Sequence, residues 1–235
     1  SQVTMKIDIE AAALSKFVQI AAPSDKSVLE IGCGTGRLTF LLAEKTKRLT
    51  AIDLAPDLLF EARPRSANTG FLAASGEHLP FQAEAFDCLL FSQSLHHQNS
   101  VKALDEATRA VKPGGRVVVL EPVFGSELEE VCGHFQNESE SRLKALYAVL
   151  DANLQIEGID FFSTIWRFES RFELHRWLFD YYQSPYDPAL AGRVDATLGE
   201  KSEQTPLDIG EKLLLISLLN QRAGKANRPV ERIPK

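Results

Sequence analysis

Glu30-Ile-Gly32-Cys-Gly34-Thr-Gly36 sets a carboxylate and three alternating glycines on one short stretch. Glycine adopts positive φ freely and leaves backbone N–H groups open to approach, so such a run between a strand and a helix builds a small-molecule site. The dinucleotide fingerprint G-x-G-x-x-G would need glycine at position 37, where this chain has Arg37. A carboxylate at Glu30 would repel a pyrophosphate but accept hydrogen bonds from an ammonium group, which favours a cofactor bearing an amino acid. Asp53 follows at the end of the next predicted strand, where a carboxylate reaches both hydroxyls of a ribose. Taken alone, the glycines read as a tight turn and Asp53 as a helix cap or surface acid; their combination carries the signal. His96 and His97 follow a later strand, and either imidazole could touch substrate or act as a base, with His97 the better placed. They have no cysteine or acid at ligand spacing, so no metal is expected.

Such residues need a scaffold to hold them. Between residues 8 and 122 apolar runs of strand length alternate with helical patterns, which predicts a doubly wound, mostly parallel sheet. The expected order begins with a helix at 9–22, a strand at 27–31, the glycine turn, a helix to about 46 and a strand at 49–54. A helix from Pro56 to about 63, halted by Pro64, and strands at 70–74 and 86–92 come next. A helix at 100–111, a Lys112-Pro-Gly-Gly115 turn and a strand at 116–121 complete this part. Beyond Pro122 all four tyrosines, both tryptophans and half of the 14 phenylalanines crowd into 123–186. Patterns there suggest helix at 127–152, extended chain at 161–168, helix at 170–182 and a last strand at 213–219. The division expected is a cofactor-binding part at 1–122, an aromatic-rich helical cap at 123–190, final sheet elements at 191–220 and a basic tail at 221–235.

A net charge of −6 over 235 residues has the wrong sign for a chain held to phosphate backbones, so nucleic acid is a disfavoured partner. Three cysteines, Cys33, Cys88 and Cys132, are an odd count without motif spacing, which suggests reduced thiols and a cytoplasmic setting. The late apolar run 213–216 is far short of the roughly 18 residues of a membrane span. Met5 lies inside Ser1, which leaves the origin of residues 1–4 open, and the oligomeric state is not legible.

With four ordered motifs, the chain resembles the class I S-adenosylmethionine-dependent methyltransferases, particularly the small-molecule branch of ubiquinone and menaquinone biosynthesis. The motifs are Val28 through Gly36, Ala51-Ile-Asp-Leu54, Gly76-Glu-His-Leu-Pro-Phe81, and Leu104 through Glu121 with its Lys-Pro-Gly-Gly turn. Phe86-Asp87 before the fourth strand adds to them, and the likeness covers about residues 24–122. It implies a seven-stranded Rossmann-like sheet. It further implies that Gly32, Gly34 and Gly36 shape the loop at the methionine end of the cofactor, that Glu30 orients that end, and that Asp53 binds ribose. Leu54 would pack on adenine, the Gly76 and Glu77 backbone would bind it, and the Ser92 carbonyl would face the ammonium group. Ser75 stands where many relatives carry an aspartate, which removes the usual side-chain acceptor.

The aromatic segment is expected to be mostly core, with His96, Trp166, Arg167, Tyr181, Tyr182 and Tyr186 as candidates to line an acceptor pocket. The function expected is metal-free methyl transfer from S-adenosylmethionine, leaving S-adenosylhomocysteine, to a small apolar or aromatic acceptor. Two alternatives stay open: a non-catalytic module that keeps the cofactor pocket, and an NAD-dependent oxidoreductase.

Overall fold

The computed structural model describes residues 5–8, 10–62 and 69–222. The basic tail from residue 223, residues 1–4 and the expected helix stop at Pro64 lie outside the described residues. The chain opens with α1 (Ala12–Ala21), whose first turn is held by the Asp8 carboxylate accepting from the Ala12 and Ala13 amides at 2.8 and 2.9 Å. β1 (Ser27–Ile31), α2 (Arg37–Ala43), β2 (Arg48–Asp53), α3 (Pro56–Ala62) and β3 (Thr69–Ala73) follow. Next come β4 (Phe86–Ser92), a 3-10 turn at Leu95–His97, α4 (Ser100–Ala110) and β5 (Val111–Pro122). The Asn99 side chain accepts from the Lys102 amide at 3.1 Å and so starts α4. After β5 the elements are α5 (Glu127–Cys132), α6 (Ser139–Asp151), β6 (Gln155–Phe168), α7 (Arg171–Tyr181), α8 (Pro188–Leu198) and β7 (Leu207–Leu219).

These strands make one seven-stranded sheet in the order β3-β2-β1-β4-β5-β7-β6, parallel except where β7 pairs with β5 and β6. Strand alternation sends side chains to two layers. Leu29, Leu89, Phe91, Val117 and Val119 pack on one face against α4 and α6. Val28, Cys88, Leu90, Val118 and Leu120 pack on the other against α1 and α2. The chain order reverses between β1 and β4, so their carboxyl ends diverge and open a crevice there.

Three expectations change. Lys112–Gly115 is a register irregularity inside β5 rather than a turn before it, since Phe86 pairs with Val111 and Cys88 with Arg116. Residues 127–152 form two helices, because the chain leaves the helical path between Cys132 and Ser139. The segment 123–190 is not one helical insertion: β6 runs through it as a sheet edge strand, paired along thirteen positions with β7. Helices on either side of β6 instead share a separate core, in which Leu128, Val131, Trp166, Phe168, Leu174 and Val194 meet. Among the described residues no helix is long and apolar enough to cross a membrane.

Candidate functional site

Two cavities meet at the crevice. The first, of about 340 Å³, lies over the ends of β1 and β2 and is lined by Gly32, Gly34, Asp53, Leu54 and Gly76 among others. The turn that forms its floor runs through positive φ at Gly32, Gly34 and Gly36. Asp53 fixes that turn from the neighbouring strand, accepting from the Gly34 amide at 2.8 Å and from the Ala55 amide at 2.9 Å. A carboxylate has about four lone-pair sites, so Asp53 keeps capacity for a vicinal diol. Leu54 is 69% exposed on the rim, and Leu58 and Ala74 add apolar surface suited to a flat ring.

The other expected cofactor residues stand behind this surface. Glu30 is buried beneath the turn, with one oxygen accepting from the Thr39 hydroxyl at 2.6 Å and the other unpartnered. Burial pushes its carboxyl up to about 7, which leaves it poised between neutral and charged. Gly36 caps α2, Ser75 accepts from the Glu77 amide at 3.1 Å, and Glu77 accepts from the Asn99 amide at 2.8 Å. Ser92 ends β4 paired with Leu120, and the next residues, Gln93 and Ser94, reach the cavity instead.

The second cavity, about 110 Å³, lies under the segments flanking β6. Trp166, Trp177, Tyr181 and Tyr182 make one wall, with successive ring centroids 5.1, 5.4 and 4.9 Å apart. Trp166 donates its indole N–H to Glu211 at 2.8 Å, and Thr164 donates to the same oxygen at 3.0 Å. Arg167 points away from this wall, as alternation along β6 requires, and pairs with Asp208 at 2.6 Å. Tyr186 also misses the cavity and packs on Phe179.

Opposite the aromatics sits a chain of charges. Glu121, near the end of β5, pairs with His96 Nδ1 and accepts from the Leu95 amide at 2.9 Å. His96 Nε2 lies 3.5 Å from Glu138, which Arg142 grips at 2.8 Å. Burial by itself would depress the His96 pKa, but hydrogen bonds to Glu121 and Glu138 outweigh it and raise it to about 9. Burial and the neighbouring His96 charge hold His97 below the usual histidine value. The His96 hydrogen bond carries the Glu138 carboxyl down to about 2. The two imidazoles, with centroids 3.9 Å apart, are thus driven to opposite protonation states at neutral pH.

Sequence reading found the histidines and missed Glu121, Glu138, Arg142, Gln93 and Glu211. Glu138 supplies the acidic neighbour that the linear sequence did not show: ligand-type atoms of His96, His97 and Glu138 lie within 4.8 Å of one another. Arg142 and protonated His96 already hold Glu138, so the group is an ion-pair chain as it stands. Cys33, Cys88 and Cys132 are free, and burial raises each thiol, Cys88 to about 12 and Cys132 to about 11, which makes them inert.

Residues 29–119 match the family model described as a methyltransferase domain. Over 115 residues the chain is 38% identical to the uncharacterized methyltransferase YodH of Bacillus subtilis, covering 46% of this chain and 49% of that protein. It is also 38% identical over 101 residues to a malonyl-[acyl-carrier protein] O-methyltransferase of Salmonella typhimurium, covering 43% and 40%. The matches therefore span about half the length of these curated relatives or less. Among solved structures, the YcgJ protein of Bacillus subtilis aligns with a TM-score of 0.62 at 16% identity, covering 90% of this chain and 99% of that one. Geranyl diphosphate C-methyltransferase of Streptomyces coelicolor, described in complex with Mg2+, geranyl diphosphate and S-adenosyl-L-homocysteine, aligns at 0.60 and 16% identity, covering 90% and 79%. At such identities these likenesses speak to the fold.

Proposed function

We propose that this chain, which carries a methyltransferase domain over residues 29–119, moves the methyl group of S-adenosylmethionine to a small, largely apolar or aromatic acceptor. The supporting observation is the meeting of two unlike cavities, one over a glycine turn and Asp53 and one walled by aromatics, which share Gln93, His97 and Tyr181. Bound in the first, the cofactor supplies an already activated sulfonium methyl. Gly34, whose Cβ direction is open, admits it closely, Gly32 and Gly76 let Ser94, Gln98 and Ile31 pack behind that surface, Asp53 takes the ribose hydroxyls, and Leu54 covers the adenine. Glu30, Gly36, Ser75, Glu77 and Ser92 act from behind by fixing the loops that carry these groups.

Alignment of nucleophile and methyl within about 3–3.5 Å provides much of the acceleration, so the aromatic wall contributes by holding the acceptor still. His97, 47% exposed at the junction and held neutral, takes a proton from an acceptor that has one to lose. A cavity of about 110 Å³ suits a reacting group of one ring or less, since an engineered cavity of about 150 Å³ holds benzene. That open second cavity also favours catalysis over a silent cofactor-binding module.

Isothermal titration with S-adenosylmethionine, S-adenosylhomocysteine and NADH, with Asp53→Ala as the comparison, tests the reading. Binding of the two adenosyl ligands that weakens sharply in Asp53→Ala is expected. Binding of NADH alone would overturn the proposal.

A further inference from the structure

We infer that Gln93 grips the methyl-accepting group and that this group bears an N–H or O–H bond; the inference rests on the methyl-transfer reading above. Gln93 follows directly after β4 and, with His97 and Tyr181, lines both cavities, the place where a methyl group would cross. Its backbone is held at φ 52 by an amide hydrogen bond to Leu120 O at 2.8 Å. Left-handed backbone is costly for a non-glycine residue, because its Cβ crowds the following carbonyl oxygen. Among the described residues, non-glycine positive φ occurs also at Asp8, Ala11, Ala22, Glu84 and Gln183, and none of these lines either cavity. A glycine would make the same turn without strain.

The side chain gives the reason for a glutamine a task. Its amide makes no hydrogen bond among the described residues, although neighbouring Gln98 donates to Ser94 O at 3.1 Å. Among the described residues nothing therefore uses the Gln93 carbonyl, which accepts, or its NH2, which donates. A left-handed backbone that carries an amide side chain without a partner among the described residues, at the junction of two cavities, points to a partner outside the chain. An acceptor amine donates one N–H to Gln93 Oε1 and keeps another proton for His97, while an acceptor hydroxyl takes a hydrogen bond from Gln93 Nε2 and keeps its single proton for His97; either is thereby turned with a lone pair toward the methyl, whereas a carbon nucleophile offers neither contact. In the step, a bond forms between the acceptor oxygen or nitrogen and the methyl carbon while the carbon–sulfur bond breaks. That electron pair stays on sulfur as a neutral thioether, and the acceptor proton passes to His97 and then to water.

Sinefungin carries an amine-bearing carbon in place of the sulfonium, so its N–H groups reach to the acceptor side where Gln93 lies. Its affinity relative to S-adenosylhomocysteine, measured by titration calorimetry, therefore reads the Gln93 contact without any acceptor in hand. Wild type is expected to prefer sinefungin by about tenfold, the worth of one charge-assisted hydrogen bond. Gln93→Met and the strain-relieving Gln93→Gly should both bring that ratio close to unity while S-adenosylhomocysteine binding is kept. A ratio near unity in wild type, or one that survives in either variant, would overturn the Gln93 assignment. Absence of S-adenosylhomocysteine binding to wild type would instead overturn the methyl-transfer reading beneath it.

Discussion

Replacing Gly32 and Gly34 by alanine separates two uses of one turn. A Cβ on Gly32 would fall 2.2 Å from Ser94 Cβ and 2.7 Å from Ser94 Oγ. Ser94 is itself buried and tied by its hydroxyl to the Ile31 carbonyl, so it has nowhere to move. Gly32 also sits at φ 77. Left-handed strain of about 1–2 kcal/mol and overpacking of about 1–3 kcal/mol give a destabilisation of roughly 2–5 kcal/mol for Gly32→Ala. Gly34, at φ 54, shares the strain but not the clash, because its Cβ meets no protein atom within 4 Å. Gly34→Ala should thus lose only about 1–2 kcal/mol of stability. Its methyl enters open space at the cavity that Gly34 lines, so it should weaken S-adenosylhomocysteine far more than it weakens the fold. Urea unfolding and calorimetric titration of both variants measure the two effects. Equal destabilisation of the two, or wild-type ligand affinity in Gly34→Ala, would refute the reasoning.

Ring-proton NMR should show His96 keeping its second proton up to about pH 9 while His97 titrates below the ordinary histidine range. Because the folded His96 value is raised, its contribution to stability is complete below the unfolded value near 6.5 and disappears as pH rises toward about 9. For Glu138 the sign reverses: the depressed carboxyl stabilises above about 4.5, and that stabilisation is lost as pH falls toward about 2. Glu138→Gln should remove this acid limb from unfolding curves, lower the His96 pKa in the same NMR titration, and cost about 1–3 kcal/mol at neutral pH. Trp166→Phe removes the indole donor from buried Glu211 and should cost about 1–3 kcal/mol by urea unfolding. Arg167→Ala, on the other face of the same strand, should leave both cavities and S-adenosylhomocysteine affinity unchanged.

The glycine turn and the carboxylate that braces it were legible because their signals are local. Gly32, Gly34 and Gly36 impose backbone angles by themselves, and Asp53 ends a strand whose β-branched and apolar pattern is plain. The parallel strands were readable from continuous apolar runs, since both of their faces are covered by helices. β6 was harder, because at the sheet edge its long aromatic run resembles cap core as much as strand.

The sequence by itself determined the glycine turn, the carboxylate that braces it, the alternation of strand and helix, and the two histidines beyond β4. Only the tertiary structure decided what those histidines are, because Glu121 comes from β5 and Glu138 from the break before α6, and their fields push adjacent imidazoles to opposite protonation. It likewise sent Trp166 to the cavity and Arg167 away from it, and set the Gln93 side chain between two cavities without a partner among the described residues. Backbone preference acts over a few residues and is written in them, whereas charge, burial and facing depend on segments that folding alone brings within a few ångströms.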